Sequence, residues 1–141
     1  MVITKMTIED YSKVYDLWIS CDGMGLNHID DSKDGIAKFL NRNPNTCFVA
    51  KQGTEVVGVI LSGHDGRRGF IYHTAVSTAH RREGIGEKLV EHALMALKEE
   101  GITKVALVAF AQNETGNAFW EKQGFTVRED LVYRNRRLIE L

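Results

Sequence analysis

The spacing of apolar residues at the start of the chain predicts a short strand followed by two helices. Residues 2–6 have the pattern of a strand, and Thr7 can cap the first helix. The apolar positions of this helix recur at helical spacing: Ile8, Tyr11, Val14, Tyr15 and Trp18. A second helix is predicted from Ser32 to just before Pro44, because the residue before a proline disfavours the helical conformation. Residues 21–31 form an acidic, glycine-rich connection between the two helices.

The middle of the chain has the pattern of strands. Residues 46–51 and 56–61 predict a hairpin whose turn lies at residues 53–54. Residues 65–69 have the composition of another turn, and a further strand is predicted over residues 70–76.

A long amphipathic helix is predicted over residues 84–100, with a left-handed cap at Gly101. Its apolar stripe consists of Ile85, Leu89, Val90, Ala93, Leu94 and Leu97. Residues 104–110 then include six consecutive apolar residues. Such a run predicts a strand that is buried on both faces beside a parallel neighbour.

The last part of the chain predicts one more helix and two strands. The helix covers residues 113–123 and is closed by Gly124, and residues 125–127 and 132–138 are predicted to pair as antiparallel strands. The predicted order is β-α-α-β-β-β-α-β-α-β-β, an α/β fold with a central mixed sheet and helices on both faces. Because the chain shows no repeat or linker, a single domain over residues 1–141 is expected.

Composition and charge exclude several classes of protein. The chain is 43% hydrophobic and 26% charged with a formal net charge of −1, which gives no basic footprint for nucleic acid or a membrane surface. It has neither an apolar run of about 18 residues nor the pattern of a signal peptide, so a cytoplasmic protein without a membrane span is expected. Cys21 and Cys47 are expected to be free thiols, and the histidines show no metal-binding spacing.

The candidate chemistry lies where the strand over residues 70–76 leads into the long helix. A helix N-terminus leaves backbone N–H groups unpaired, and its dipole favours an anion. Gly84 and Gly86 let the backbone approach a diphosphate closely, while Arg81 and Arg82 add forked donors for phosphate oxygens. The combination predicts a pyrophosphate cradle.

Two other phosphate-binding motifs do not fit this segment. The P-loop needs a lysine followed by serine or threonine after its second glycine, and neither follows Gly84 or Gly86. The dinucleotide fingerprint needs a third glycine and an acidic residue at the end of the next strand. Leu89 stands at the third glycine position, and the next strand ends in Phe110 and Ala111.

Two segments resemble one family. Residues 76–86, VSTAHRREGIG, resemble the acyl-CoA-binding motif of the GNAT superfamily of N-acyltransferases, written V-x-P-x-x-[RQ]-x-x-G-[IV]-[GA]. Residues 113–125, NETGNAFWEKQGF, resemble its second signature, N-x-x-A-x-x-[LF]-Y-E-K-x-G-F. The element order agrees as well, so the resemblance covers nearly the whole chain. Residues 17–22 and 65–69 look most like a branch of small bacterial members of undefined substrate.

The resemblance implies that acetyl-CoA is bound as a co-substrate, without a metal. One strand would hydrogen-bond the pantetheine arm where two parallel strands splay apart, and the loop and helix start would hold the pyrophosphate. Backbone N–H groups at the splay would stabilise the oxyanion. The residues implied in cofactor binding are Thr74, Ala75, Val76, Arg81, Arg82, Gly84, Ile85, Gly86, Asn113, Phe119 and Trp120. Asn113 can also cap the following helix.

The chain departs from the family pattern at two positions that matter for proton transfer. Trp120 stands where many members carry the tyrosine that protonates the leaving thiolate, and an indole N–H is no acid at neutral pH. Val108 stands where ribosomal-protein N-terminal acetyltransferases carry a glutamate base. A peptide N-terminus is therefore not supported as the acceptor.

Three other residues are candidates for proton transfer. Tyr72 and His73 lie on the strand that leads into the splay, and strand alternation predicts that they point to opposite faces. His73 suits a base because histidine titrates near neutral pH, although a structural role is an alternative. Tyr133 is a further candidate acid, with packing as its alternative, and a chain of waters without a dedicated residue is equally open.

Cues for the acceptor conflict. The connection between the first two helices contains Asp22, Asp30 and Asp31, which can attract a cationic amine or merely be solvated and cap the next helix. Arg67 and Arg68 can instead bind a carboxylate.

The function predicted from the sequence is transfer of acetyl from acetyl-CoA to a primary amine, of a small molecule rather than a peptide. The alternatives are a non-catalytic acyl-CoA-binding module and a protein N-terminal or lysine acetyltransferase. Family habit also suggests a homodimer, formed through a strand edge near the C-terminus.

Overall fold

The computed structural model describes residues 1–141, which fold around one five-stranded sheet. The strands are β1 (Val2–Lys5), β2 (Phe48–Gln52), β3 (Glu55–His64), β4 (Gly69–Val76) and β5 (Val105–Leu107). The helices are α1 (Tyr11–Ser20), α2 (Lys33–Arg42), α3 (Ile85–Glu99) and α4 (Glu114–Lys122). Strand order follows the chain, antiparallel from β1 to β4 and parallel between β4 and β5. This arrangement confirms the predicted mixed sheet.

Each face of the sheet is covered by helices. On one face α1 and α2 bury a cluster that includes Val14, Trp18 and Ile36, and on the other face α3 buries Leu89 and Val90 against β2, β3 and β4. Full burial of one such side chain contributes about 1.5–3 kcal/mol. The amphipathic stripes predicted from the sequence are therefore the core-facing sides of the helices.

The helix ends follow the capping residues predicted from the sequence, with one exception. The Ser32 hydroxyl accepts a hydrogen bond from the Gly35 N–H at 3.0 Å at the start of α2, and Gly101 adopts φ +84° directly after α3. The first predicted helix is divided, because a single 3-10 turn (Ile8–Asp10) precedes α1. Thr7 donates its backbone N–H to the Asp10 carboxylate at 3.0 Å, which fixes this turn.

The pairing of β3 with β4 contains a bulge. Ile60 lies opposite Thr74 and Ser62 lies opposite Ile71, so Leu61 alone faces two residues of β4. A bulge of this kind breaks the alternation of side chains along the bulged strand.

The bulge places Tyr72 and His73 on the same face of the sheet. Tyr72 packs against Phe39 of α2 with ring centroids 5.5 Å apart, and His73 packs edge-on against Trp18 of α1 at 5.3 Å. The expectation that these two side chains point to opposite faces is therefore wrong, because simple alternation assumes a regular strand.

The strand predicted over residues 104–110 is shorter and less buried than expected. Only Val105–Leu107 pairs with β4, and Val108 and Phe110 expose more than half of their surface. The expectation of burial on both faces is wrong here because β5 is the edge of the sheet and no helix covers it on the α2 side.

The two strands predicted after α4 are absent. Gly124, at φ +94°, ends the helix as predicted, but residues 126–141 contain no helix or strand and every one of them is exposed. An isolated pair of strands is marginal in water, and these residues have no covering layer to bury their apolar side chains. No helix combines the length and the apolar character that crossing a membrane requires.

Candidate active site

The central feature of the site is a wedge between β4 and β5. The two strands pair at only three positions, which end at Ile71 and Leu107. Beyond these residues β4 continues to Val76, where it pairs with β3 on one side and has no strand on the other. Residues 74–76 therefore present backbone groups that are free to bond an extended ligand.

The loop that follows β4 has two residues in the left-handed conformation. Arg82 has φ +67° and Gly84 has φ +78°. For a non-glycine residue this conformation costs about 1–2 kcal/mol, so the surrounding loop must hold Arg82 in place. His80 supplies one such restraint, because its Nε2 lies 3.2 Å from the Glu55 carboxylate at the start of β3.

The N-terminus of α3 is open for an anion. Gly84 is the N-cap residue, no side chain accepts a hydrogen bond from the first turn, and a Cβ on Gly84 would meet no atom within 4 Å. Ile85 is buried in the core, so only its backbone N–H can contribute to binding. The unpaired N–H groups and the two left-handed residues form the kind of concavity that binds phosphate.

Gly86 brings α4 close to this loop. A Cβ at Gly86 would lie 3.2 Å from the ring of Phe119 and 3.7 Å from Val76. Trp120 packs edge-on against Phe119 at 5.0 Å and is half-buried. The structure thus places Phe119 beside the cradle and the end of β4, whereas Trp120 packs between Phe119 and Phe125.

The two arginines lie in the loop after β4, and Asn113 lies at the start of α4. Arg81 and Arg82 are exposed, and Arg81 Nε lies 3.4 Å from the carbonyl oxygen of Val76. The Asn113 side-chain oxygen accepts the Gly116 N–H at 2.9 Å and so caps α4, while its amide nitrogen donates to no protein group. Asn113 can therefore cap the helix and still donate a hydrogen bond to a ligand.

His73 and Asp31 form a pair on the face of the sheet that α1 and α2 cover. His73 Nε2 lies 2.9 Å from Asp31 Oδ1, and Asp31 Oδ2 accepts the Asn27 N–H at 2.8 Å. Asp31 is almost fully buried, whereas about a fifth of the His73 side chain is exposed. The carboxylate of Asp31 accepts a proton from His73 Nε2, so Nδ1 is the acceptor when the imidazole is neutral. Because Asp31 is buried and bonded, the idea that it attracts a cation from solvent is wrong.

Tyr72 is the second titratable residue on this face. Burial, together with the proximity of Tyr133 and Asp30, raises the pKa of Tyr72 above its usual value, so its hydroxyl stays protonated at neutral pH. Tyr133 is near enough to influence Tyr72 but is largely exposed. Tyr72 can donate a proton, and it cannot act as a base at this pH.

Sequence reasoning named the members of the His73–Asp31 pair but missed their contact. The two residues are 42 positions apart, and the contact depends on the bulge in β4. The acidic connection is the one available signal, and the sequence leaves open whether its carboxylates attract a cationic amine or are solvated and cap the next helix.

The comparisons with known proteins agree with this geometry. The sequence model of the acetyltransferase (GNAT) family matches residues 11–125. The acetyltransferase SG1711 of Sodalis glossinidius is 31% identical over 132 residues, which cover 94% of this chain and 92% of that protein. The PaiA N-acetyltransferase of Thermoplasma acidophilum, solved with coenzyme A, has a TM-score of 0.78 at 19% identity and covers 91% of both chains. The aminoglycoside antibiotic 6'-N-acetyltransferase AAC(6')-IG of Acinetobacter haemolyticus has a TM-score of 0.76 at 18% identity, over 99% of this chain and 100% of that one.

The fold, the wedge between β4 and β5 and the matched family model lead to the same class of protein. The chain belongs to the acetyltransferase (GNAT) family and is an acyl-CoA-dependent acetyltransferase.

Proposed function

We propose that the protein transfers an acetyl group from acetyl-CoA to a primary amine of a small molecule, with residues 1–141 acting as one domain. The observation that carries this proposal is the uncapped start of α3, where left-handed Arg82 and Gly84 frame unpaired N–H groups. The pyrophosphate would lie on these groups, and the pantetheine arm would lie in the wedge along residues 74–76. The solved PaiA relative that contains coenzyme A supports the same assignment.

Acetyl-CoA, when bound, supplies an activated thioester carbonyl. We assign the base to His73, which takes a proton from the ammonium group of the acceptor so that the neutral amine can attack the carbonyl carbon. Asp31 positions the imidazole with Nδ1 as the acceptor. Backbone N–H groups of β4 in the wedge stabilise the negative charge that develops on the acetyl oxygen. The attacking nitrogen then loses its second proton to solvent and the C–S bond breaks, which gives the neutral amide and the thiolate. We assign the proton that the thiolate takes up to Tyr72, which regains a proton from solvent, with Tyr133 as the alternative acid.

The site favours a small acceptor over a peptide N-terminus. Val108 lies just beyond β5, exposed, where a glutamate base would be needed for the peptide subclass. The aminoglycoside acetyltransferase among the structural neighbours acts, by its name, on an amine of a small molecule. A non-catalytic acyl-CoA-binding module is the second candidate, favoured by Trp120 at the position of the usual acid.

A pair of glycine substitutions tests the cofactor assignment. Gly84→Glu adds a carboxylate where the pyrophosphate would lie, and we expect acetyl-CoA binding to fall at least about 100-fold, since charge-assisted bonds to several N–H groups are lost. Gly101→Glu is the matched control, because Gly101 also has a positive φ, an open Cβ position and a place at an end of α3. Isothermal calorimetry with acetyl-CoA measures both variants.

Equal loss of binding in the two variants would contradict the cradle.

Release of free CoA thiol from acetyl-CoA, measured over a panel of primary amines, separates the two candidate functions. Turnover with any amine contradicts the non-catalytic module, and binding without turnover across the panel contradicts the transferase.

A further inference from the structure

A cleft of about 490 Å³ lies on the α2 side of the sheet, beside the paired start of β4 and β5. Residues from four separate parts of the chain line it, which is why no local motif indicates it. The residues that carry the argument below are Phe39, Arg42, Arg68, Phe70, Tyr72 and Lys104.

The cleft has an excess of unpaired positive charge. Arg42, Arg68 and Lys104 line it, and none of the three forms an ion pair within the chain. Asp65 is the one carboxylate in the lining, and its Oδ1 already accepts the backbone N–H groups of Arg67 and Arg68. His64, also in the lining, is bonded to Glu100 outside it. The lining thus carries three cations against one carboxylate, an excess of two positive charges.

Arg68 is held in position before any ligand arrives. Its Nη1 donates to the backbone oxygen of Arg67 at 3.2 Å and to the Thr103 hydroxyl at 3.3 Å. These bonds leave Nε and Nη2 free to meet a carboxylate. A planar guanidinium with two free donors suits a planar acid group, and its fixed geometry lowers the entropy lost on binding.

One wall of the cleft is aromatic and leads toward the proposed base. Phe39, Tyr72 and Phe70 pack in a row, with ring centroids 5.5 and 4.7 Å apart. Because of the bulge, Tyr72 is followed on the same face by His73. A carbon chain lying along this wall therefore runs from the start of β4 toward the position of His73, which follows Tyr72 and does not itself line the cleft.

We infer that the acceptor is an amine that also carries a carboxylate, bound by the cations of this cleft while its amine lies near His73. The inference rests on the proposed transferase function and narrows it to amino acids and related amino carboxylates. A polycationic acceptor would bring positive charge against Arg42, Arg68 and Lys104 and is disfavoured by this cleft.

Matched acceptor pairs test the inference. Each pair has the same amine and differs only in the acid group: L-lysine and L-lysine amide, or β-alanine and β-alaninamide. For the wild type we take whichever carboxylate, L-lysine or β-alanine, is the better substrate. We expect its kcat/KM to exceed that of its amide by about tenfold or more, since each charge-assisted hydrogen bond contributes about that factor. Arg68→Gln and Lys104→Gln should each bring the ratio toward one while kcat/KM with the amide is kept.

Arg67→Gln is the control variant. Arg67 is adjacent, exposed and equally charged but does not line the cleft, so its substitution should keep the wild-type ratio. Equal rates with acid and amide in the wild type would overturn the carboxylate site and leave the transferase function standing. Preference for O-phosphoethanolamine over ethanolamine, without preference for either carboxylate, would overturn it in favour of a phosphate. No transfer to any amine would overturn both proposals.

Discussion

His73 on β4 is bonded to the carboxylate of Asp31, which lies in the connection between α1 and α2. A single substitution at Asp31 tests what this bond does. Asp31→Asn keeps the shape of the side chain, but its amide would donate to Nε2 of His73 and so leave the proton on Nδ1. The proposed base would then be lost, and we expect kcat to fall about 100-fold, as in His73→Gln. Steady-state kinetics with the best amine of the panel measures this.

A purely structural role for the pair predicts a different result. In that case Asp31→Asn would lower the melting temperature and leave kcat nearly unchanged. The dissociation constant for acetyl-CoA should stay at the wild-type value in both variants, which separates loss of the base from loss of the cofactor site. His92→Gln, an exposed histidine bonded only to Lys88 of its own helix, is the control.

Cys47 should make the free energy of unfolding fall at alkaline pH. Its thiol donates to the Ser62 carbonyl oxygen at 3.2 Å, and burial raises its pKa from 9.0 to about 12. As the pH rises above 9, the unfolded chain loses this proton and the folded chain keeps it. The free energy of unfolding should therefore be unaffected by Cys47 below pH 9 and decline through the range up to about pH 12.

The measurement is urea unfolding at pH 8, 9 and 10 for the wild type and for Cys47→Ser. The hydroxyl can keep the bond to Ser62 and does not titrate in this range. Wild type should lose up to about 1.4 kcal/mol more per pH unit above 9 than the variant does. Identical pH dependence in the two proteins would show that Cys47 is accessible to solvent or already ionised.

Single residues were predicted well from the sequence where the requirement is local. Gly84 and Gly101 have positive φ because a turn at a helix end needs it, and no distant contact is involved. Gly86 was predicted for a close backbone approach, and its lack of a Cβ also makes room for Phe119. Arg68 is predicted from the sequence to bind a carboxylate, but its meeting with Arg42 and Lys104 in one cleft and the His73–Asp31 bond could not be predicted, because each joins residues from separate elements.

Among the elements, α3 packs on β3 at a point where only glycine fits. A Cβ on Gly58 would lie 2.9 Å from both Ile85 Cγ2 and Leu89 Cδ1, side chains that are almost fully buried. Gly58→Ala should therefore move α3 away from β3 and cost about 1–3 kcal/mol of stability. Since the other end of α3 is fixed on Leu97, we expect acetyl-CoA binding to weaken as well.

A double-mutant cycle isolates this contact. Leu89→Ala removes one of the two clashing methyl groups, so Gly58→Ala should cost about 1 kcal/mol less in that background than in the wild type. Leu97→Ala is the matched control, because Leu97 is equally buried on α3 and lies against Gly69 instead. Additive free energies in both cycles, measured by urea unfolding, would contradict the clash.

Sequence periodicity predicted correctly the elements that pack against or pair with another element, such as the amphipathic helices and β1 to β4. Periodicity failed toward the end of the chain. The apolar run at 104–110 favours a strand and residues 132–138 are also predicted as one, but a strand needs a neighbour and a covering layer as well. Only three residues of the first segment pair with β4, and none of the second does.

For the whole molecule, the same missing partners leave two features exposed. The outer edge of β5 has no neighbouring strand, and an unpaired edge is a template for another chain. Residues 126–141 expose large apolar side chains, among them Val127, Val132 and Leu138. The predicted strand edge near the C-terminus is absent, which leaves the β5 edge and these exposed residues as surfaces for a homodimer.

We expect such a dimer, with the C-terminal residues of one copy covered by a second copy of the chain. Covering an apolar side chain contributes about 1.5–3 kcal/mol, so Val132→Lys and Leu138→Lys should each weaken self-association about tenfold or more. Met95→Lys is the control, because Met95 is as exposed as these residues but lies on α3. Sedimentation equilibrium over a hundredfold range of concentration measures the effect. A wild type that sediments as a monomer throughout, or a dimer that Met95→Lys weakens equally, would contradict it. Val132→Lys and Leu138→Lys should keep the wild-type affinity for acetyl-CoA, since the proposed cofactor site, α3 and the loop before it, lies within one chain and outside residues 126–141.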